Sequence, residues 1–251
     1  MNILVTNDDG IDSPGIYALV HALKQIATVY VVAPDRQQSA VGHALTVSTP
    51  LRATPFKRDN AFFGTAVDGT PADCVKLAFS SLLHEVKIDL VVSGINHGYN
   101  TAINVLYSGT VSAATEGMLL GVPSMAVSLG TFSWEADMSV AAKTAQYIAS
   151  RYFELEIPKD TILNVNIPNI PEDKIKGIKI TQQGHGEWID KYEERLDPQG
   201  KPYYWIRGVY NNIDGIPFSD DVAVEDGFIA VTPITFKLTD FNTMNKLKKL
   251  F

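Results

Sequence analysis

The chain has 251 residues, 45% of them hydrophobic and 20% charged, with a formal net charge of −7 and a pI near 5.2. That balance suits a globular chain with a substantial core, and it excludes the broad basic face that nonspecific nucleic-acid binding requires. No apolar run approaches the roughly 18 residues of a spanning helix, so a membrane partner is not expected either.

The single cysteine, Cys74, rules out an intrachain disulfide and a cysteine-based zinc site. The N-terminus runs straight into an apolar stretch, so no secretory leader is expected and the cytoplasm is the expected location. An acidic balance remains compatible with a small phosphorylated substrate, because a bound cation supplies local positive charge.

In chain order, Ile3–Thr6 reads as a buried strand that stops on Asn7-Asp8-Asp9-Gly10. Ser13-Pro14 then starts a helix, with serine as N-cap and proline at the first helical position. Ile16, Leu19, Val20, Leu23 and Ile26 follow at helical spacing. Thr28–Ala33 is a second strand, stopped by Pro34-Asp35. Thr70-Pro71 repeats the cap-plus-proline signal before a helix to about Leu83. Ile88–Ser93 is a third strand, closed by Gly94. Ser108 opens a helix rich in small residues, Pro123–Ser128 is a fourth strand, Ala136–Tyr152 a helix, and Thr161–Ile167 a further strand.

Beyond 170 the pattern changes. Ile178–Thr181, Tyr203–Arg207 and Phe228–Val231 are short β-like runs, separated by turn signals at Gln199-Gly200, Asp214-Gly215 and Asp226-Gly227. These read as an antiparallel, hairpin-rich extension of the kind that makes subunit contacts. A terminal helix, about Phe241–Leu250, follows. The fold class is therefore α/β, with a mostly parallel sheet covered on both faces by helices and a C-terminal hairpin extension for oligomerisation. The expected division is a catalytic core over 1–130, with residues 131–251 supplying the remaining core elements and the extension.

In a parallel sheet, ligands bind outside the carboxyl ends of the strands. Asp8-Asp9, Gln37-Gln38-Ser39 and Asn96 all fall there. Two adjacent carboxylates repel unless a positive charge sits nearby. Asp8, Asp9, Ser39 and Asn96 offer hard oxygen donors, which suit Mg²⁺, Mn²⁺ or Ca²⁺ better than zinc or copper. The alternative for Asp8-Asp9 is a solvated turn before a helix.

Val91–Asn100, VVSGINHGYN, is a loop in which Gly94 and Gly98 permit tight turns and Asn96 and Asn100 offer amides. The alternative is a loop with no task, and His97 within it is first read as an ordinary loop histidine. Ser108-Gly109-Thr110 at a helix start makes an anion site from free backbone N–H groups; the alternative is an ordinary N-cap. A phosphate cradle beside a hard-metal site points to phosphoester hydrolysis, with the metal assisting attack by water. No Gly-Lys-Ser/Thr P-loop and no Gly-x-Gly-x-x-Gly after the first strand are present, so neither an NTPase nor a dinucleotide enzyme is indicated.

Five blocks, taken together and in order, closely resemble the SurE family: Thr6–Gly10, Ala33–Ser39, Gly64–Val75, Ser93–Asn100 and Tyr107–Ala114. The resemblance implies a Rossmann-like three-layer core and a metal-dependent 5′-nucleotidase acting on nucleoside monophosphates. It also implies activity on 3′-nucleotides and polyphosphate, and homodimers or homotetramers built through C-terminal elements. It places one divalent ion per subunit on Asp8, Asp9, Ser39 and Asn96. The expected mechanism is attack by a metal-activated water, with Asp8 and Asp9 holding the ion and Asn96 bridging it to the phosphate; the alternative is that one aspartate acts as base or nucleophile. Phosphate contacts fall on Gly94, Asn96, Asn100, Ser108, Gly109 and Thr110. "Nucleotide" comes from the resemblance alone; the residues by themselves reach metal and phosphate.

Two other classes share parts of this pattern. A haloacid-dehalogenase-like phosphatase needs Asp-x-Asp, and Asn7 stands where its nucleophile would be. A phospho-accepting receiver module also clusters acids at a first strand end, but the chain is twice that size and no partner lysine is evident. Only a catalyst turns over.

Overall fold

The computed structural model describes residues 1–213 and 216–251; the turn expected at Asp214-Gly215 lies outside them. Its centre is a nine-stranded sheet. The strands are β1 (Asn2–Thr6), β2 (Thr28–Pro34), β3 (Ala53–Arg58), β4 (Ala61–Val67), β5 (Leu90–His97), β6 (Ser124–Leu129), β7 (Thr161–Ile167), β8 (Ile178–Ile180) and β11 (Ile229–Thr235). Their order is β3-β4-β2-β1-β5-β6-β7-β11-β8. Pairing is parallel except at β3–β4 and β7–β11.

The central strands are apolar because both faces are covered. Leu90, Val91 and Val92, like Ile3, Leu4 and Val5, are fully buried. Helices α1 (Pro14–Leu23) and α5 (Ser139–Arg151) cover one face, while α2 (Pro71–Leu77) and α4 (Gly109–Leu119) cover the other. Ser13 caps α1 with Pro14 behind it, as the sequence indicates. Thr70 and Asp73 close a capping box on α2, each side chain accepting the other's backbone N–H. Small residues let α4 lie close: a Cβ on Gly117 would come within 2.6 Å of the Ser124 hydroxyl and 2.8 Å of the Val91 side chain.

Three expectations need correction. The third strand does not close at Gly94 but runs on to His97. Gly94 sits at φ +137, and a Cβ there would lie 2.3 Å from the Val127 carbonyl oxygen, so only glycine fits between β5 and β6. The edge hairpin β3–β4 was unexpected, because Pro55 and exposed charged residues hide its period; Asp59 and Asn60, both at positive φ, form its turn. The three late β-runs do not form one extension. β8 and β11 enter the main sheet, parallel to each other, and only β9 (Gly186–Leu196) and β10 (Pro202–Asn212) make a separate two-stranded ribbon. Strands from both sides of residue 130 thus share one sheet.

The remaining helices are α3 (Asn104–Tyr107), α6 (Asp220–Glu225) and α7 (Phe241–Leu247). Among the described residues, no helix is long and apolar enough to cross a membrane.

Candidate active site

The carboxyl ends of β1, β5 and β6 open into a cleft of about 460 Å³, a volume in the range of small-molecule sites. Chain geometry gathers the polar residues there. After β1, the Asn7 amide donates to the Gly10 carbonyl and to Ser13 Oγ, both at 2.8 Å, which folds the turn back on α1. The Gln38 N–H donates to the Asp8 carbonyl at 2.7 Å, tying the segment after β2 to the end of β1. That bond brings Ser39 to the rim of the cleft that Asp8 and Asn96 also line.

Asp8 and Asp9 are both buried. Burial first, and the Asp9 charge second, push the Asp8 carboxyl up to about 7. Among the described residues, no lysine or arginine pairs with either; the one basic side chain in contact is His97, whose Nδ1 lies 2.8 Å from Asp9 Oδ2. The His97 backbone N–H donates to the same oxygen at 3.0 Å. Asp9 Oδ1 has only the Gln37 amide, at 3.4 Å. On Asp8, the Thr110 hydroxyl donates to Oδ1. Asp8 is thus held by Thr110 and Asp9 by His97, with only the longer Gln37 contact on the second oxygen of Asp9. The Asn96 amide donates to the Gly98 carbonyl at 2.8 Å, which turns its own oxygen away from that bond.

Opposite lies the start of α4. Ser108 Oγ accepts the Val111 N–H at 3.0 Å, so the first turn leaves the N–H groups of Gly109 and Thr110 without an intrahelical partner. A Cβ on Gly109 would meet the Asp8 Cβ at 2.8 Å. This glycine is what allows the helix to end against the carboxylate pair.

The segment 98–103 is fixed from below. The Asn100 N–H donates to Asn166 Oδ1 at 2.8 Å, the Asn100 amide to Ser128 Oγ at 2.9 Å, and the Asn164 amide to the Asn100 carbonyl at 2.7 Å. The Ala102 N–H and the Gly184 N–H reach the Asp220 carboxylate at 3.2 and 2.9 Å.

Of the residues singled out from sequence, Asp8, Ser39, Asn96, Asn100 and Ser108 line the cleft. Asp9 stands behind them, held by His97. Gly109 and Thr110 pack against Asp8 rather than lining the opening, and Gly94 is enclosed between strands. Sequence reasoning missed His97 as the partner of Asp9 and missed the Asn164–Asn166 pair. The latter had a signal: two asparagines at period two in an otherwise apolar, buried strand. It also missed Phe132, Trp188, Tyr210 and Asp221, which line the cleft from distant parts of the chain and carry no local motif.

Residues 3–190 match the family model described as "Survival protein SurE". A protein of Chlorobium phaeobacteroides named 5′-nucleotidase SurE is 47% identical over 99% of this chain and 95% of its own length. One of Carboxydothermus hydrogenoformans with the same name is 48% identical, with 99% and 95% covered. The crystal structure of the SurE protein from Aquifex aeolicus superposes with a TM-score of 0.85 at 44% identity, covering 100% of this chain and 99% of that one.

Proposed function

The chain belongs to the SurE family, and on that footing we propose that it is a metal-dependent phosphomonoesterase that hydrolyses nucleoside 5′-monophosphates to nucleoside and phosphate. One observation carries the reading: two adjacent buried carboxylates, with no lysine or arginine partner among the described residues, stand against the N-terminus of α4. Buried like charges need compensation. A hard divalent cation supplies it.

The donor set fits that ion. Asp8, Asp9, Ser39 and Asn96 are all oxygen donors, and four protein ligands leave room for water and substrate, as Mg²⁺ or Mn²⁺ requires. When bound, the ion supplies charge neutralisation and Lewis-acid polarisation of a phosphoryl oxygen. The remaining work belongs to the chain. The Ser108 hydroxyl, which lines the cleft, and the Gly109 N–H at the start of α4 bind phosphoryl oxygens, aided by the helix dipole. The Asn100 amide, braced by β6 and β7, orients the phosphate from the other side. Thr110 and His97 hold Asp8 and Asp9 in place, so no reorganisation is needed as charge develops. Asp8, Asp9 and Asn96 are the residues nearest the reaction.

The subunit works as a homodimer or homotetramer in this reading. The β9–β10 ribbon projects Trp205, Ile206 and Val209 into solvent, and an isolated two-stranded ribbon is marginally stable at best. The C-terminal helix α7, with exposed Phe241 and Leu247, adds a second uncovered element.

The test is phosphate release from a panel of nucleoside 5′- and 3′-monophosphates, after chelation and after adding back Mg²⁺, Mn²⁺ or Ca²⁺. Multiple turnovers that vanish on chelation and return with a divalent ion support the proposal. Stoichiometric ion binding without turnover would leave a binding module instead.

A further inference from the structure

Glu116 is a buried carboxylate that the proposed reaction does not use. It lies on α4, about two turns from the Gly109 end, and is 4% exposed. Its two oxygens have separate partners. Lys76 Nζ on α2 donates to Oε1 at 2.8 Å, and His43 Nε2 lies 2.9 Å from Oε2. A buried carboxylate needs a cation for compensation, and Lys76 supplies it. The His43 bond is an additional tie, and it runs to the segment that carries Ser39.

That segment joins β2 to β3. Among the described residues, those from 35 to 52 form neither helix nor strand, and none from 35 to 50 is buried. A connection of this length without elements of its own is uncommon unless it has a task. With no side chain in the core, its place is set by hydrogen bonds. The Gln38 N–H donates to the Asp8 carbonyl at 2.7 Å, the Gly42 N–H to the Tyr107 carbonyl at 3.0 Å and the Thr46 N–H to Asp73 Oδ1 at 3.0 Å. The Thr70 hydroxyl donates to the Ala44 carbonyl at 2.8 Å. Between Ser39 and His43 the chain turns through Ala40 and Gly42, at φ +56 and +57. An alanine keeps that left-handed conformation only where its surroundings impose it. The Gly42 bond also reaches the residue before Ser108, so the turn is tied to both the ion side and the phosphate side of the site.

We propose that His43 and Glu116 are positioning residues: their bond holds the Ser39 segment against the body of the protein, so that Ser39 reaches an ion carried by Asp8, Asp9 and Asn96. The assignment rests on the ion site proposed above. Among the described residues lining the cleft, neither His43 nor Glu116 is present, so they act through the backbone between His43 and Ser39. Glu116 is a firm anchor, because it sits within α4 and Lys76 holds its other oxygen. Loss of the His43 ring leaves Glu116 paired with Lys76, so the buried charge stays compensated while the segment loses its side-chain tie to α4. Outer supports of this kind govern the affinity of an ion site.

The experiment measures Mn²⁺ binding by the full-length protein without substrate, from the paramagnetic resonance signal of the free ion. His43→Ala is expected to raise the Mn²⁺ Kd by about tenfold, and His43→Gln, whose amide donates from near the place of Nε2, to recover most of the loss. Lys76→Met removes the other partner of Glu116 and keeps the His43 bond. It should lower the melting temperature more than His43→Ala, because it leaves a buried charge uncompensated, yet hold the Mn²⁺ Kd near the wild-type value. Trypsin cleavage after Arg36 in the metal-free protein should quicken in His43→Ala and not in His43→Gln. A wild-type Kd in His43→Ala, or an equal weakening in Lys76→Met, overturns the assignment and leaves the pair a role in stability alone. Failure of the ion site has a separate signature: the wild type binds no Mn²⁺, or Asp9→Asn binds it equally well, and the positioning role then falls with the site.

Discussion

His97 grips Asp9 twice. Its backbone N–H and its ring Nδ1 both reach Asp9 Oδ2, at 3.0 and 2.8 Å, and Trp134 stacks on the ring at 5.0 Å. One oxygen of Asp9 is thereby fixed, and the other keeps only the 3.4 Å contact from the Gln37 amide. Outer partners of this kind set the orientation of a metal ligand.

His97→Ala should therefore keep the backbone contact, lose the ring, and weaken both Mn²⁺ affinity and turnover by about 10- to 100-fold. Asp9→Asn should abolish turnover while far-UV circular dichroism is unchanged. An Asp9→Asn protein with near-wild-type kcat at saturating metal would remove Asp9 from the site.

Gly109→Ala tests the approach of α4 to Asp8. The new methyl would sit 2.8 Å from the Asp8 Cβ and 3.1 Å from Pro71 Cγ, so the carboxylate or the helix must move. A displacement near 1 Å costs about 100-fold in rate. The expected signature is a large fall in kcat with a modest change in melting temperature. Retained activity would mean that helix and carboxylate need not touch.

Metal and stability should be linked. The repulsion between Asp8 and Asp9 is relieved when a cation binds, so divalent ion at 100 times its Kd stabilises the fold by about 2.7 kcal/mol. For a chain of this length that is a rise in melting temperature of about 5–10 °C. Scanning calorimetry with chelator and with Mg²⁺ measures it. Asp8→Asn, which removes one of the two carboxylates and with it a ligand, should show less of the shift; an equal shift in that variant would place the ion elsewhere.

The Asn100 bracing can be broken from β7. Asn166→Ala removes the acceptor of the Asn100 N–H, a fully buried bond. Leaving that donor unsatisfied costs about 1–3 kcal/mol. Stability in urea should fall by this amount, and kcat should fall with it because Asn100 lines the cleft. An unchanged midpoint and rate would show that Ser128 and Asn164 suffice.

Asp73 gives a pH dependence. Burial raises its carboxyl, but the Thr46 and Thr70 hydrogen bonds outweigh burial and hold it below the ordinary 3.8. A depressed carboxylate stabilises the fold fully above its unfolded value, and that contribution is lost as pH falls through the native value. The wild type should therefore lose thermal stability below pH 3.8 more steeply than Asp73→Ala. Parallel melting curves across that range would contradict the capping-box role.

Much of this was legible in the sequence, for reasons of locality. Buried strands such as Leu90–Val92 read as apolar runs, and the caps at Ser13 and Thr70 read as serine or threonine before proline, because both signals are set by neighbours along the chain. The sheet's polarity then placed Asp8, Asp9, Ser39 and Asn96 at one edge, since a parallel sheet puts all its carboxyl ends on the same side. What the chain alone determined was the α/β class and the gathering of these oxygen-bearing side chains at one end of the sheet. Tertiary structure decided the rest. It put His97 on Asp9, 88 residues away, and Asn166 beneath Asn100. It also drew β8 and β11 out of the expected extension into the main sheet, and brought Trp188, Tyr210 and Asp221 over the cleft. These contacts depend on which strands lie side by side, and strand order is settled by the packing of the whole core rather than by any local pattern.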